Sequence, residues 1–169
     1  MKKQETIEIG VVVERREIDN PWQDHTWSAV AVIPGAEPVD EWRLLASDEG
    51  WVQYHAATLP LELHRSETEA YRTNLADNPP RVYVLLREDE EDNDHEVAPF
   101  LVTVSAYEAQ DYLDCDDIVD GVTMPDAVIA WVQAFIDAHH VDKPFYKRKR
   151  KRHETDELDF GGPPSGRVR

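Results

Sequence analysis

Apolar and polar positions alternate along the first part of the chain. Ile7, Ile9, Val11 and Val13 are interleaved with Glu8, Gly10, Val12 and Glu14. That period of two predicts a half-buried strand. Trp27 to Ile33 is apolar at nearly every position, the pattern of a strand covered on both faces, and so a central one. Asn20-Pro21 marks the turn between the two strands, and Pro34-Gly35 ends the second. Trp42 to Ala46 predicts a short strand, with Asp48-Glu49-Gly50 as the following turn. Trp51 to His64 is extended, with Leu59, Leu61 and Leu63 pointing one way. Pro60 has no amide hydrogen, so it places this segment at an edge or a bulge. Two further strands follow, Arg81 to Arg87 and Phe100 to Val104. Acidic Glu88 to Glu96 lies between them as a surface loop, and Cys115 to Gly121 is a second loop.

The period changes where helices are expected. Ser66-Glu67-Thr68-Glu69 has the spacing of a capping box, and Tyr71 and Leu75 then share a face. A short helix over 67–76 is predicted, with a hairpin strand as the rival. Ser105 and Glu108 make a second capping box, opening a helix to about Asp114. In the third, Thr123 is placed as the cap, with Pro125 in the first turn and Asp126 at the positive end. Val128, Trp131, Val132, Phe135 and Ile136 then form one stripe. Each such side chain contributes roughly 1.5–3 kcal/mol when buried, which marks the stripe as core.

Strands followed by helices predict an α+β domain. The expected form is an antiparallel β-sandwich or half-barrel of six to seven strands covered by two C-terminal helices. Residues 1–146 form this single domain, and 147–169 a basic, flexible C-terminal tail. At 169 residues the chain is long enough to bury a core without staples.

Charge separates body from tail. The chain has 18 basic and 35 acidic residues. From Lys147 on there are 8 basic and 4 acidic residues, so the body carries 10 against 31, a net of −21. Such a body repels nucleic acid and anionic membranes. The run Lys147, Arg148, Lys149, Arg150, Lys151 and Arg152 is a possible polyanion-binding segment. It has no interleaved aromatic on which a base could stack. One cysteine, Cys115, rules out an intramolecular disulfide and a cysteine-based metal centre. The first residues lack a signal-like apolar run, and no stretch has membrane-spanning length. The expected compartment is the cytoplasm.

Little in the chain points to catalysis. His139 and His140 are adjacent and point about 100° apart on a helix, which suits a structural role near a helix C-terminus. The His-x-x-Glu spacing of His64 and Glu67 lacks a second histidine. No Gly-x-Ser-x-Gly setting and no Gly-rich phosphate loop occur. Cys115 sits among aspartates that disfavour its thiolate. No catalytic residue, metal ligand or cofactor is assigned. The remaining candidate is the turn carrying Arg15, Arg16, Trp22, His25 and Trp27, residue types enriched at partner-binding hot spots.

Several segments carry a resemblance. They are Gly-Val-Val-Val-Glu-Arg-Arg from Gly10, Pro-Trp-Gln-Asp-His-Thr-Trp from Pro21, and Leu-Pro-Leu-Glu-Leu-His-Arg-Ser-Glu-Thr-Glu-Ala-Tyr-Arg-Thr-Asn-Leu from Leu59. Val82 to Arg87, Tyr107 to Leu113 and Pro144 to Arg150 belong with them. Together, over about Ile7 to Arg152, the chain resembles an uncharacterised bacterial family of unknown function. Its genes often stand beside those of molybdenum-dependent formate dehydrogenase, and some members are labelled molybdopterin-guanine dinucleotide biosynthesis protein A. This chain lacks the Gly-rich loop such a transferase needs. The resemblance implies a non-enzymatic accessory protein that binds a partner, a molybdoenzyme or one of its assembly factors. The alternatives are handling of molybdopterin or a nucleotide, which a convergent pocket around His25, His64 and Arg72 would favour, and nucleic-acid binding through the basic run.

Overall fold

A computed structural model describes residues 4–89, 95–113 and 116–141. The basic run, Cys115, residues 90–94 of the acidic loop and the tail lie outside the described residues. The described part is mixed, with seven antiparallel strands in two sheets and three α-helices.

The first sheet holds β1 (Gln4–Glu17), β2 (His25–Pro34), β3 (Arg43–Asp48) and β4 (Trp51–His64), in the order β2-β1-β4-β3. β1 is its spine, paired with β4 from Gln4↔His64 to Arg16↔Trp51 and with β2 from Ile9↔Pro34 to Glu17↔His25. The second sheet is β6-β5-β7, from β5 (Arg81–Asp89), β6 (Glu96–Thr103) and β7 (Ile118–Thr123). The sheets approach one another along two seams, β4 beside β6 and β2 beside β7. Ile9, Val11, Val13, Leu61, Leu63, Val82, Val84 and Leu86 fill the space between, all fully buried. Period-two alternation is what places them on one face of each strand.

β2 is an outer strand of its sheet, not a central one. Its apolar residues on the second face, Val30 and Ile33, are 36% and 38% exposed. The outer edge of β2, rather than its second face, is what meets β7. There the backbone N–H of Ala29 donates to Asp120 Oδ2 at 2.9 Å, a side chain standing where a ladder partner would be. Burial pushes the Asp120 carboxyl above its ordinary value, and the Ala29 bond pulls it only part of the way back. A raised folded-state value means that stability is lost as pH rises through it. Asp120→Asn keeps an acceptor for Ala29 and removes the charge. It is expected to raise Tm at neutral pH, with the gain over the native chain vanishing as pH falls towards the ordinary aspartate value of 3.8.

Pro60 behaves as its chemistry requires. It lies in β4 opposite Glu8, beyond the stretch that β3 covers, so no second strand asks for its missing amide. Gly10 is needed for a close approach. A Cβ there would lie 2.7 Å from Ala36 Cβ and 2.9 Å from His55 Nε2. The glycine lets the segment after β2 fold down over His55, which is buried and bonded to Thr58 Oγ1.

The helices are α1 (Thr68–Leu75), α2 (Ala106–Gln110) and α3 (Asp126–His139). The segment at 67–76 is therefore helical and not a hairpin. α1 follows a 3-10 turn, Arg65–Glu67, and neither element has a side-chain cap, so Ser66 does not cap. Ser105 does, accepting from the Glu108 N–H at 3.3 Å. Thr123 does not cap α3; it ends β7, and Pro125 takes the N-cap position. Cys115 to Gly121 is not all loop either, since β7 begins at Ile118. Two helices at the C-terminal end are not the observed cover: α3 packs on α1, which lies between β4 and β5 in sequence, and α2 is one short turn. Tyr71 and Phe135 meet edge to face at 6.3 Å in that contact. The Tyr71 hydroxyl accepts from the His64 N–H at 2.9 Å, and burial pushes it up to about 12. The stripe on α3 is core, with Val128, Val132, Phe135 and Ile136 buried. Trp131 at its border donates to Glu5 Oε1 at 3.1 Å, fastening α3 to the start of β1.

Candidate functional site

The end of β1 places alternate residues on opposite faces. Arg15 is paired with Trp27 and Arg16 with Thr26. Directly opposed residues share a face, so Arg15, His25 and Trp27 point together and Arg16 points away. Arg16 instead bonds Glu14 at 2.9 Å, and Gln53 donates to the other oxygen of that carboxylate at 3.0 Å. Burial alone would raise the Glu14 carboxyl. The Gln53 and Arg16 hydrogen bonds and the arginine charge outweigh it and bring the group below its ordinary range. Arg16 thus belongs to a structural pair on the far side of the sheet.

On the near side everything converges on Glu96. One carboxylate oxygen lies 2.7 Å from His25 Nε2 and accepts from Trp27 Nε1 at 3.0 Å. Arg15 Nη2 lies 3.3 Å from His25 Nδ1. A guanidinium only donates, so Nδ1 is the acceptor and Nε2–H is directed at Glu96. Both ring nitrogens are engaged, so the imidazole is held in place between Arg15 and Glu96. The Trp27 bond first, then His25, with Arg15 adding a smaller attraction, hold the Glu96 carboxyl below its ordinary value.

Glu96 has φ of +76°, the one non-glycine residue with positive φ among the described residues. This left-handed conformation costs a residue with a side chain on the order of 1–3 kcal/mol. It also changes where neighbouring side chains go. Successive residues of a regular strand face opposite ways. Here His95 and Glu96 both reach the Trp27 side: His95 stacks on Trp42 at 4.1 Å with 12° between planes, while Glu96 takes the indole N–H. Trp42 meets Trp27 edge to face at 5.6 Å, and Tyr54 closes the group at 5.4 Å from Trp42 and 5.0 Å from His95. Edge-to-face and stacked pairs of this kind are each worth about 0.5–1.5 kcal/mol beyond burial. The result is a stiff aromatic block with one carboxylate set into it.

Beside the block is a cleft of about 440 Å³, between the ends of β2 and β7. Leu86, Val97 and Ile118 give it an apolar wall, and Asp24, Glu88, Glu96 and Asp116 line it with carboxylates. Trp22 stands in its lining at 89% exposure, with its backbone N–H donating to Asn20 Oδ1 at 2.8 Å. Of the five residues expected at this surface, His25 and Trp27 form the block, Arg15 supports it, Trp22 is presented outward, and Arg16 is elsewhere. No cation–π contact joins the two tryptophans to these arginines among the described residues; Arg87 makes one, over Phe100 at 3.7 Å.

This chain matches the family model described as "Protein of unknown function (DUF3305)" over residues 8–150. It belongs to that family. No curated protein and no solved structure matches it. The DUF3305 match bears out the resemblance to an uncharacterised family. It assigns no residue a role.

A pocket around His25, His64 and Arg72 does not form. His25 pairs with Glu17 and His64 with Gln4, at opposite ends of β1. Thirteen residue steps along the strand separate them, roughly 40 Å at about 3.3 Å per step. His64 pairs with Glu62 at 3.2 Å, and Arg72 bonds His140 Nε2 at 2.7 Å. That arginine directs His140 Nδ1–H to Thr68 Oγ1 at 2.9 Å, tying the end of α3 to the start of α1. His139 turns the other way and packs on Phe135 at 4.5 Å. No group of histidine, cysteine or acidic residues arranged for a metal occurs among the described residues, and none of their helices is long and apolar enough to cross a membrane.

Residue-by-residue reasoning missed Glu96, His95, Trp42 and Tyr54. The available signal was compositional: three of the five tryptophans lie within 21 residues, and a histidine interrupts the acidic run at 95.

The Glu96 carboxylate also sets an acid limit. A depressed folded-state value gives stability that is present above the ordinary value of 4.5 and is lost as pH falls through the folded one. On acidification, the tryptophan emission of the native chain is expected to change below about 4.5, as the indole and imidazole lose their acceptor. Glu96→Gln is expected to remove that transition while leaving the far-ultraviolet dichroism unchanged.

Proposed function

We propose that this protein is a non-enzymatic accessory factor that binds a partner protein through the cleft beside the aromatic block. The carrying observation is Trp22, exposed at 89% and fixed on a turn next to a rigid, hydrogen-bonded surface. An exposed tryptophan over a pre-organised floor has the character of a binding anchor. Four carboxylates line the cleft, so the partner segment it suits carries lysine or arginine. Such pairing speeds encounter and weakens with salt.

In this reading the partner is a molybdoenzyme such as formate dehydrogenase, or a factor in its assembly or regulation, and the protein acts in the cytoplasm. The family resemblance supports that step. The two sheets and their seams fit a sandwich curled into a half-barrel, with the α1–α3 pair as its cover. In an organism encoding this chain, deleting the gene is expected to lower formate dehydrogenase activity. The native gene restores it, and Trp22→Ala, which disturbs no packing, does not. Unchanged activity on deletion overturns the molybdoenzyme reading. Full rescue by Trp22→Ala overturns the cleft as the binding surface.

A further inference from the structure

We propose that the chain forms a symmetric dimer by antiparallel pairing of β3 with β3 of a second copy. β3 is the outermost strand beyond β4, and all six of its residues are exposed. Leu44 and Leu45 are 61% and 44% exposed. Natural edge strands are commonly blunted with lysine, proline, other charges or a bulge; β3 has neither lysine nor proline, and its two charges, Arg43 and Asp48, and its bulge are placed to suit a second copy of itself.

The bulge at Leu45 decides the register. Arg43, Ala46 and Asp48 pair with His55, Gln53 and Trp51, which alternate along β4 and share one of its faces. Leu44 and Ser47 pair with Tyr54 and Val52 and take the other face. Without the bulge Arg43 and Asp48, five positions apart, would lie on opposite faces. With it they share one.

A two-fold axis through Ala46 then sets Ala46 against itself. It places Leu44 opposite Ser47 of the second copy and Arg43 opposite Asp48 of the second copy. Every opposed pair lies on a common face, and each end of the junction carries an ion pair. This is the self-complementarity that an isologous interface requires. The free amides and carbonyls of the edge are satisfied by the same pairing, and the four-stranded sheet becomes continuous across the dimer.

The test is solution mass by light scattering on the full chain, at rising concentration. Twice the 19.4 kDa chain mass is expected for the native protein. Arg43→Asp and Asp48→Arg each bring like charges together at both ends and are expected to be monomers. An equimolar mixture of those two chains restores opposite charges at both ends and is expected to return to dimer mass. Ala46→Arg puts two cations on the axis and is expected to be monomeric with native dichroism. A native protein that stays at 19.4 kDa at every concentration overturns the proposal. So does a single charge reversal that remains dimeric, or a mixture that fails to pair.

Discussion

Asn74→Ala is expected to be among the most destabilising single substitutions in the chain, costing about 3 kcal/mol or more. The side chain is 3% exposed on α1. Its amide donates to the carbonyls of Arg81 at 2.7 Å and Val104 at 2.8 Å, and its oxygen accepts from the Arg81 N–H at 2.9 Å. One residue therefore joins a helix, the first residue of β5 and the chain just after β6. Alanine strands the Val104 carbonyl in a buried position and leaves both backbone groups of Arg81 without this partner at a half-buried one; each buried group left unpaired costs about 1–3 kcal/mol. Asn74→Asp keeps the acceptor but not the two donors and sets a negative oxygen against two carbonyls, so it is expected to be no milder. Urea denaturation with an unchanged m-value is the measurement. A loss below about 1 kcal/mol would show that neighbouring groups re-pair.

Phe135→Ala is the second. Phe135 is 1% exposed and sits between Tyr71 and His139, at 6.3 Å and 4.5 Å between ring centroids. Truncating a buried aromatic costs roughly 3–5 kcal/mol, because transfer energy and a residual cavity add. The α1–α3 contact is the unit at risk. Tyr71 Oη is bonded to the His64 N–H, so a shift of the tyrosine ring is felt at the end of β4. Phe135→Leu refills most of the volume and is expected to recover about half of the loss. Thermal melts followed by helix dichroism report on it directly. The tryptophan emission from the distant block should change only with the global transition.

How far the chain could be read in advance depended on what each segment needed from its neighbours. The β1 alternation and the α3 stripe were legible because one face of each is buried throughout. β2 was misplaced because its second face is apolar without being covered, as the exposed Val30 and Ile33 show. Its outer edge meets the other sheet, through Asp120. β7 was read as loop because a half-buried aspartate and a glycine interrupt the pattern of a strand whose aspartate has a structural bond. The candidate surface was legible as a neighbourhood. Trp22, His25 and Trp27 were found by residue type, whereas Glu96 joins them from 69 residues beyond Trp27. A hydrogen bond over that separation leaves no local spacing to detect. That His25, His64 and Arg72 stand apart has the same origin, since residue types alone carry no measure of the length of β1.

The φ of +76° at Glu96 has a consequence for anyone who tries to improve the molecule. Glycine would occupy that backbone state without steric objection, so directed evolution for heat resistance alone is drawn to substitute it. The variant would have shed backbone strain and, with it, the oxygen that holds an indole and an imidazole in register. Screens that score only melting would discard the recognition surface while reporting success.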